Sequence, residues 1–102
     1  MKAKQSQTDH DPKLAKVELA NLRIIIDKLD DLIIQSVARR MIVSRTIGMI
    51  KKQNDMPIKD AKREKELQNF HKKLAKQHGI TDKTLQKIFD LIMKESKRIQ
   101  KT

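Results

Sequence analysis

The chain has no cysteine, tryptophan or tyrosine, and only two glycines, two prolines and two phenylalanines in 102 residues. Without cysteine there is neither a disulfide framework nor a thiolate nucleophile. His10, His71 and His78 have no third or fourth ligand at metal-binding spacing, so they read as surface or half-buried histidines and no metal is expected. Phe70 and Phe89 are too few to form a platform for stacking bases. No run approaches the roughly 18 apolar residues of a membrane span, and no apolar segment backs the lysine-rich N-terminus as it would in a secretory signal. A cytoplasmic protein with no membrane segment is expected. The scarcity of helix breakers leaves long uninterrupted stretches, and the expected fold class is all-α.

What the chain has in excess is positive charge, a formal +11 with pI near 10.1. The surplus is spread along the sequence rather than gathered into a basic arm. It suits an anionic small molecule at least as well as a nucleic acid. A non-catalytic, basic helical dimer that binds nucleic acid is therefore a remote alternative; its sign would be a steep salt dependence of binding.

The rest of the sequence is organised around Leu19 to Asn54. Leu19, Leu22, Ile26, Leu29, Ile33, Ile47 and Ile50 recur at helical steps, the pattern of one long amphipathic helix starting near Val17. Asn54-Asp55-Met56-Pro57 ends it, because proline disfavours helix in the residue before it. A straight helix of that length spans about 54 Å at 1.5 Å per residue, longer than a compact domain of this size is wide. It needs partners along its length: two shorter helices of the same chain can cover part of it and a second copy of the long helix the remainder, so a homodimer is expected. Residues 1–16, aperiodic and polar with Pro12, read as a disordered leader; residues 17–102 read as a single helical domain.

Asp60 is the expected N-cap of a second helix with an apolar face at Leu67, Phe70, Leu74 and Ala75, closed by Gly79. Thr81 or Asp82 opens a third, with Leu85, Ile88, Phe89, Ile92, Ser96 and Ile99 along one face. Met41, Met49 and Met93 read as packing residues that fill gaps. The stripes are not purely apolar. Ser36 and Arg40 interrupt the first, with Lys51 close beside its line, and Ser96 and Gln100 share a face of the third. Arg40 and Lys51, eleven residues apart, point within about 20° of each other, ~16 Å apart along the axis, so two long side chains there can converge on one dianion. Arg23 lies about 42 Å from Lys51 along a straight helix and can serve the same ligand only from another subunit.

Leu22-Arg23-xxx-Asp27-xx-Asp30, Ala38-Arg39-Arg40, Ile47-Gly48-xx-Lys51, Pro57-Ile58-Lys59-Asp60-xx-Arg63-Glu64 and Ile92-xxx-Ser96-xxx-Gln100 together resemble the all-α class of chorismate mutases, in order and with no forced insertion. The resemblance implies an intertwined homodimer of three-helix protomers with two shared active sites. Its chemistry is the Claisen rearrangement of chorismate to prephenate, on the route to phenylalanine and tyrosine, with no cofactor. It further implies that Arg40 and, from the other subunit, Arg23 clamp the two substrate carboxylates. By the same resemblance Lys51 and Gln100 are expected to donate to the ether oxygen. The resemblance likewise implies that Glu64 accepts a hydrogen bond from the ring hydroxyl, supported by Asp60 and Arg63, and that Ser96 touches a carboxylate. An isochorismate–pyruvate lyase on the same scaffold is the nearest alternative, and the acidic end at Glu64 speaks for the mutase.

Overall fold

In the computed structural model, which describes residues 11–102, three helices follow one another: α1 (Pro12–Gln53), α2 (Ala61–His78) and α3 (Asp82–Gln100). No strand occurs among the described residues, and the fold is all-α as expected. The helix ends are set by local chemistry. Asp11 Oδ1 accepts the Lys13 N–H at 2.9 Å, and the Asp11 carbonyl accepts the Ala15 N–H at 2.9 Å. Pro12 then occupies the first helical position, where its missing N–H would have had no intrahelical partner. The helix thus starts at Pro12 rather than near Val17, and Pro12–Lys16 is helical rather than irregular. Of the leader expected over residues 1–16, residues 1–10 lie outside the described residues.

At its other end α1 closes through Asp55, which takes the left-handed conformation at φ 53°. The Met56 N–H returns to the Lys51 carbonyl at 2.8 Å and the Asp55 N–H to the Lys52 carbonyl at 3.4 Å, the paired bonds of a Schellman ending. Asp60 caps α2 with its side chain, Oδ1 accepting the Arg63 N–H at 3.0 Å. Gly79, at φ 69°, ends that helix in a conformation other residues adopt only under strain. Residues 79–81 then turn the chain into α3, which runs antiparallel to α2: Glu64 near the start of α2 meets Lys97 near the end of α3, and His71 meets Phe89.

The chain divides into two compact units, one ending at Ser36 and one comprising Val37–Thr102. In the first, the apolar stripe is open: Leu19, Leu22, Ile26, Leu29 and Ile33 are between 48% and 60% exposed. In the second, the remainder of α1 joins α2 and α3, yet the buried apolar side chains are only Ala75 and Ile99. The inward seam of α2 runs Leu67, His71, Leu74, Ala75, spaced at i, i+4, i+7 and i+8. His71 is consequently buried at 5% exposure, where a surface or half-buried position was expected, and Phe70, one residue off that seam, is 55% exposed. Ile88 is also exposed, so the apolar stripes of α2 and α3 are wider than the surface the two helices share.

Candidate active site

Helical spacing assembles the site. On α1, Arg40, Ser44, Ile47 and Lys51 succeed one another at steps of four, three and four residues and so face one way. Met93, Ser96, Lys97 and Gln100, at steps of three, one and three residues, likewise share a face near the end of α3. Asp60, Arg63 and Glu64 sit at the capped start of α2, beside Ile58 of the connecting loop. These groups line a cleft of about 270 Å³, at the small end of ligand pockets. Of the residues expected to form the site, Arg40, Lys51, Asp60, Arg63, Glu64, Ser96 and Gln100 are all brought together there. Arg23 belongs to the first unit, and Ser36 is exposed.

Four cations, Arg40, Lys51, Arg63 and Lys97, face two carboxylates, Asp60 and Glu64, a surplus of two positive charges. Lys51 Nζ donates to the Ile58 carbonyl at 2.8 Å, which fixes the ammonium and leaves two of its three protons free. Lys97 Nζ holds Glu64 Oε2 at 3.1 Å. Arg63 Nη1 reaches out to Glu66 Oε1 at 3.5 Å in an exposed pair that contributes little. Arg40 has no carboxylate partner among the described ion pairs. Burial, and then the neighbouring Arg63 charge, lowers its pKa from the ordinary arginine value, the mark of a half-buried cation in a positive field. An arriving anion would relieve that field.

Three polar groups complete the lining. Ser44 and Ser96, both buried, are hydrogen-bonded to each other across α1 and α3. Gln100 Oε1 is buried with no hydrogen-bond partner. An unpaired buried acceptor costs about 1–3 kcal/mol, and rotating the amide half a turn presents the N–H pair in its place. Gly48 brings the last turn of α3 close: a Cβ there would lie 2.6 Å from both Gln100 Cα and its carbonyl oxygen. Among the described residues no group of three or more His, Asp or Glu side chains could hold a metal ion, and no helix is long and apolar enough to cross a membrane.

Sequence reasoning did not single out Ser44, Lys97 or this role for Met93. Ser44 was findable, since it lies four residues after Arg40 on the same stripe. Met93, read as a gap-filler, lines the cleft three residues before Ser96. Lys97 has no local signal, because its partner is 33 residues away.

Cations, hydroxyls and an amide drawn from three helices surround a small cleft of net positive charge in an all-α fold. The sequence profile of chorismate mutase type II matches residues 22–101, and the chain belongs to that family. It is 33% identical over 84 residues to a chorismate mutase of Methanocaldococcus jannaschii, covering 82% of this chain and 85% of that protein. It is also 32% identical over 87 residues to a bifunctional chorismate mutase/prephenate dehydratase of Buchnera aphidicola, covering 85% of this chain and 23% of that longer protein.

Proposed function

We propose that this protein is a cytoplasmic enzyme that rearranges chorismate to prephenate in a cleft completed by a second copy of the chain. The observation that carries the reading is the convergence on one cleft of seven residues drawn from three helices and their caps. The reaction breaks the carbon–oxygen ether bond as a carbon–carbon bond forms within one molecule. It therefore calls for no nucleophile from the protein, only for the substrate to be held compact and for charge developing on the ether oxygen to be stabilised. Arg40, short of a carboxylate partner, takes one substrate carboxylate through its planar fork, and Arg23 of the partner subunit takes the other. Lys51, already anchored on the Ile58 carbonyl, turns a remaining proton toward the ether oxygen, and the Gln100 amide supplies the second donor. Glu64 accepts the ring hydroxyl, with Asp60 and Arg63 supporting that end, and Ser96 donates to a carboxylate.

The dimer is supported by the open stripe on α1 and by the scarcity of buried apolar side chains among the described residues. Light scattering should give twice the chain mass. Lys51→Ala should lower kcat by about 10²- to 10³-fold, the usual cost of one preorganised donor, with the helical content intact; an unchanged kcat would refute the assignment. Arg23→Ala and Lys51→Ala, each inactive alone, should on mixing and subunit exchange recover about a quarter of wild-type activity. Half of the dimers are then hybrid, and each hybrid carries one intact site of its two. Incubation with isochorismate in parallel separates the mutase from the lyase, since only the lyase yields salicylate.

A further inference from the structure

Ser44 and Ser96 pose a question of proton count. Ser44 lies one turn past Arg40 on α1, and Ser96 one turn before Gln100 on α3; they are 4% and 6% exposed, bonded to each other, and both line the cleft. Each hydroxyl has one proton and two lone pairs. In the pair, one proton is spent on the neighbouring oxygen and the acceptor keeps its own. If Ser96 were the donor, it would meet an incoming carboxylate with lone pairs alone. If Ser44 donates, Ser96 keeps its proton for the cleft and its oxygen is held in place. A helical serine without such a partner turns back onto the carbonyl four residues earlier, and for Ser96 that competing acceptor is Ile92. The charge of a bound carboxylate would also polarise the two hydroxyls in one direction, strengthening both bonds.

We propose that Ser44 is a positioning residue, donating to Ser96 Oγ and so aiming the Ser96 proton at a carboxylate of the bound dianion. The inference rests on the chorismate reading of the cleft. Because a carboxylate contact is made equally in the ground and transition states, its loss raises KM and leaves kcat alone. The space left by Ser44→Ala is a single oxygen, so the variant should fold.

The test is steady-state turnover of chorismate by wild type, Ser44→Ala, Ser96→Ala and the double variant, with thermal midpoints measured alongside. Ser44→Ala should raise KM about 3- to 10-fold, part of the value of one hydrogen bond to a charged group, with kcat within about twofold of wild type. The double variant should be no worse than Ser96→Ala, since Ser44 acts only through Ser96. If wild type makes prephenate but Ser44→Ala keeps the wild-type KM, or if the two losses simply add, the positioning role is overturned and the enzyme assignment stands. If the KM change follows a fall in the thermal midpoint and vanishes on cooling, the hydroxyl is merely structural and the proposal is again overturned. A wild type that forms no prephenate overturns the function and this inference together.

Discussion

Replacing Gly48 by alanine sets helix propensity against the site. In a solvent-exposed helix the change would stabilise by about 1 kcal/mol. Here the new Cβ meets Gln100 Cα and its carbonyl oxygen at 2.6 Å and the carbonyl carbon at 3.0 Å. Those are backbone atoms, so no rotamer change removes the clash. Ordinary contact begins near 3.4 Å, so the last turn of α3 must retreat by roughly 0.8 Å. Overpacking of this kind costs about 1–3 kcal/mol, and Gln100 is the final residue of its helix, which keeps the cost toward the low end. The net loss of stability should be about 0–2 kcal/mol by urea titration. Turnover should suffer more, because the Gln100 amide rides on the displaced turn and a donor misplaced by about 1 Å can cost up to 10²-fold. We expect kcat to fall by about 10- to 100-fold while the far-ultraviolet circular dichroism is unchanged. A Gly48→Ala protein about 1 kcal/mol more stable than wild type with full kcat would refute both the contact and the role given to Gln100.

Two further outcomes follow from particular contacts. His71 lies on the Phe89 ring, with centroids 3.9 Å apart and 28° between planes; burial first, then the Arg40 and Arg63 charges, push its pKa below the ordinary 6.5. The folded state thus prefers neutral His71, so its contribution to stability is complete above the unfolded pKa and declines as pH falls below it. Urea midpoints measured between about pH 8 and pH 5 should drop toward acid in wild type and less steeply in His71→Leu, and equal slopes would refute the burial argument. Asp55→Gly should stabilise by about 0.5–1 kcal/mol, because glycine adopts the left-handed conformation without the Cβ penalty that Asp55 bears. An unchanged urea midpoint would show that the aspartate carries no such strain.

The features legible in the sequence were those fixed by local chemistry. Asn54 to Pro57, Asp60 and Gly79 each end or start a helix through bonds within a few residues, and they fall where expected. Pro12 was misread because the same residue breaks a helix from within and opens one at its first position; only the Asp11 cap decides between the two. Phe70 and His71 exchanged places because hydrophobicity favours burying phenylalanine, while the phase of the α2 seam is set by Leu67, Leu74 and Ala75. In the site, Arg40 with Lys51 and Ser96 with Gln100 could be paired in advance because helix geometry alone aligns residues four or eleven apart. The bond between Ser44 and Ser96 and the pair of Lys97 with Glu64 join different helices, and only the folded chain brings them together.

The scarcity of buried apolar side chains, Ala75 and Ile99 among the described residues, carries a consequence for how this protein exists in solution. If most of its hydrophobic surface is covered only by pairing, its free energy of folding contains the logarithm of its own concentration. Dilution alone then acts as a denaturant, and the thermal midpoint climbs with each tenfold rise in protein. In such a pair, every substitution on the open stripe would also be counted twice. If the chain is active only as the proposed pair, a cell holding it below the pairing threshold would hold polypeptide without activity, specific activity would level off above it, and abundance itself would be the first control on catalysis.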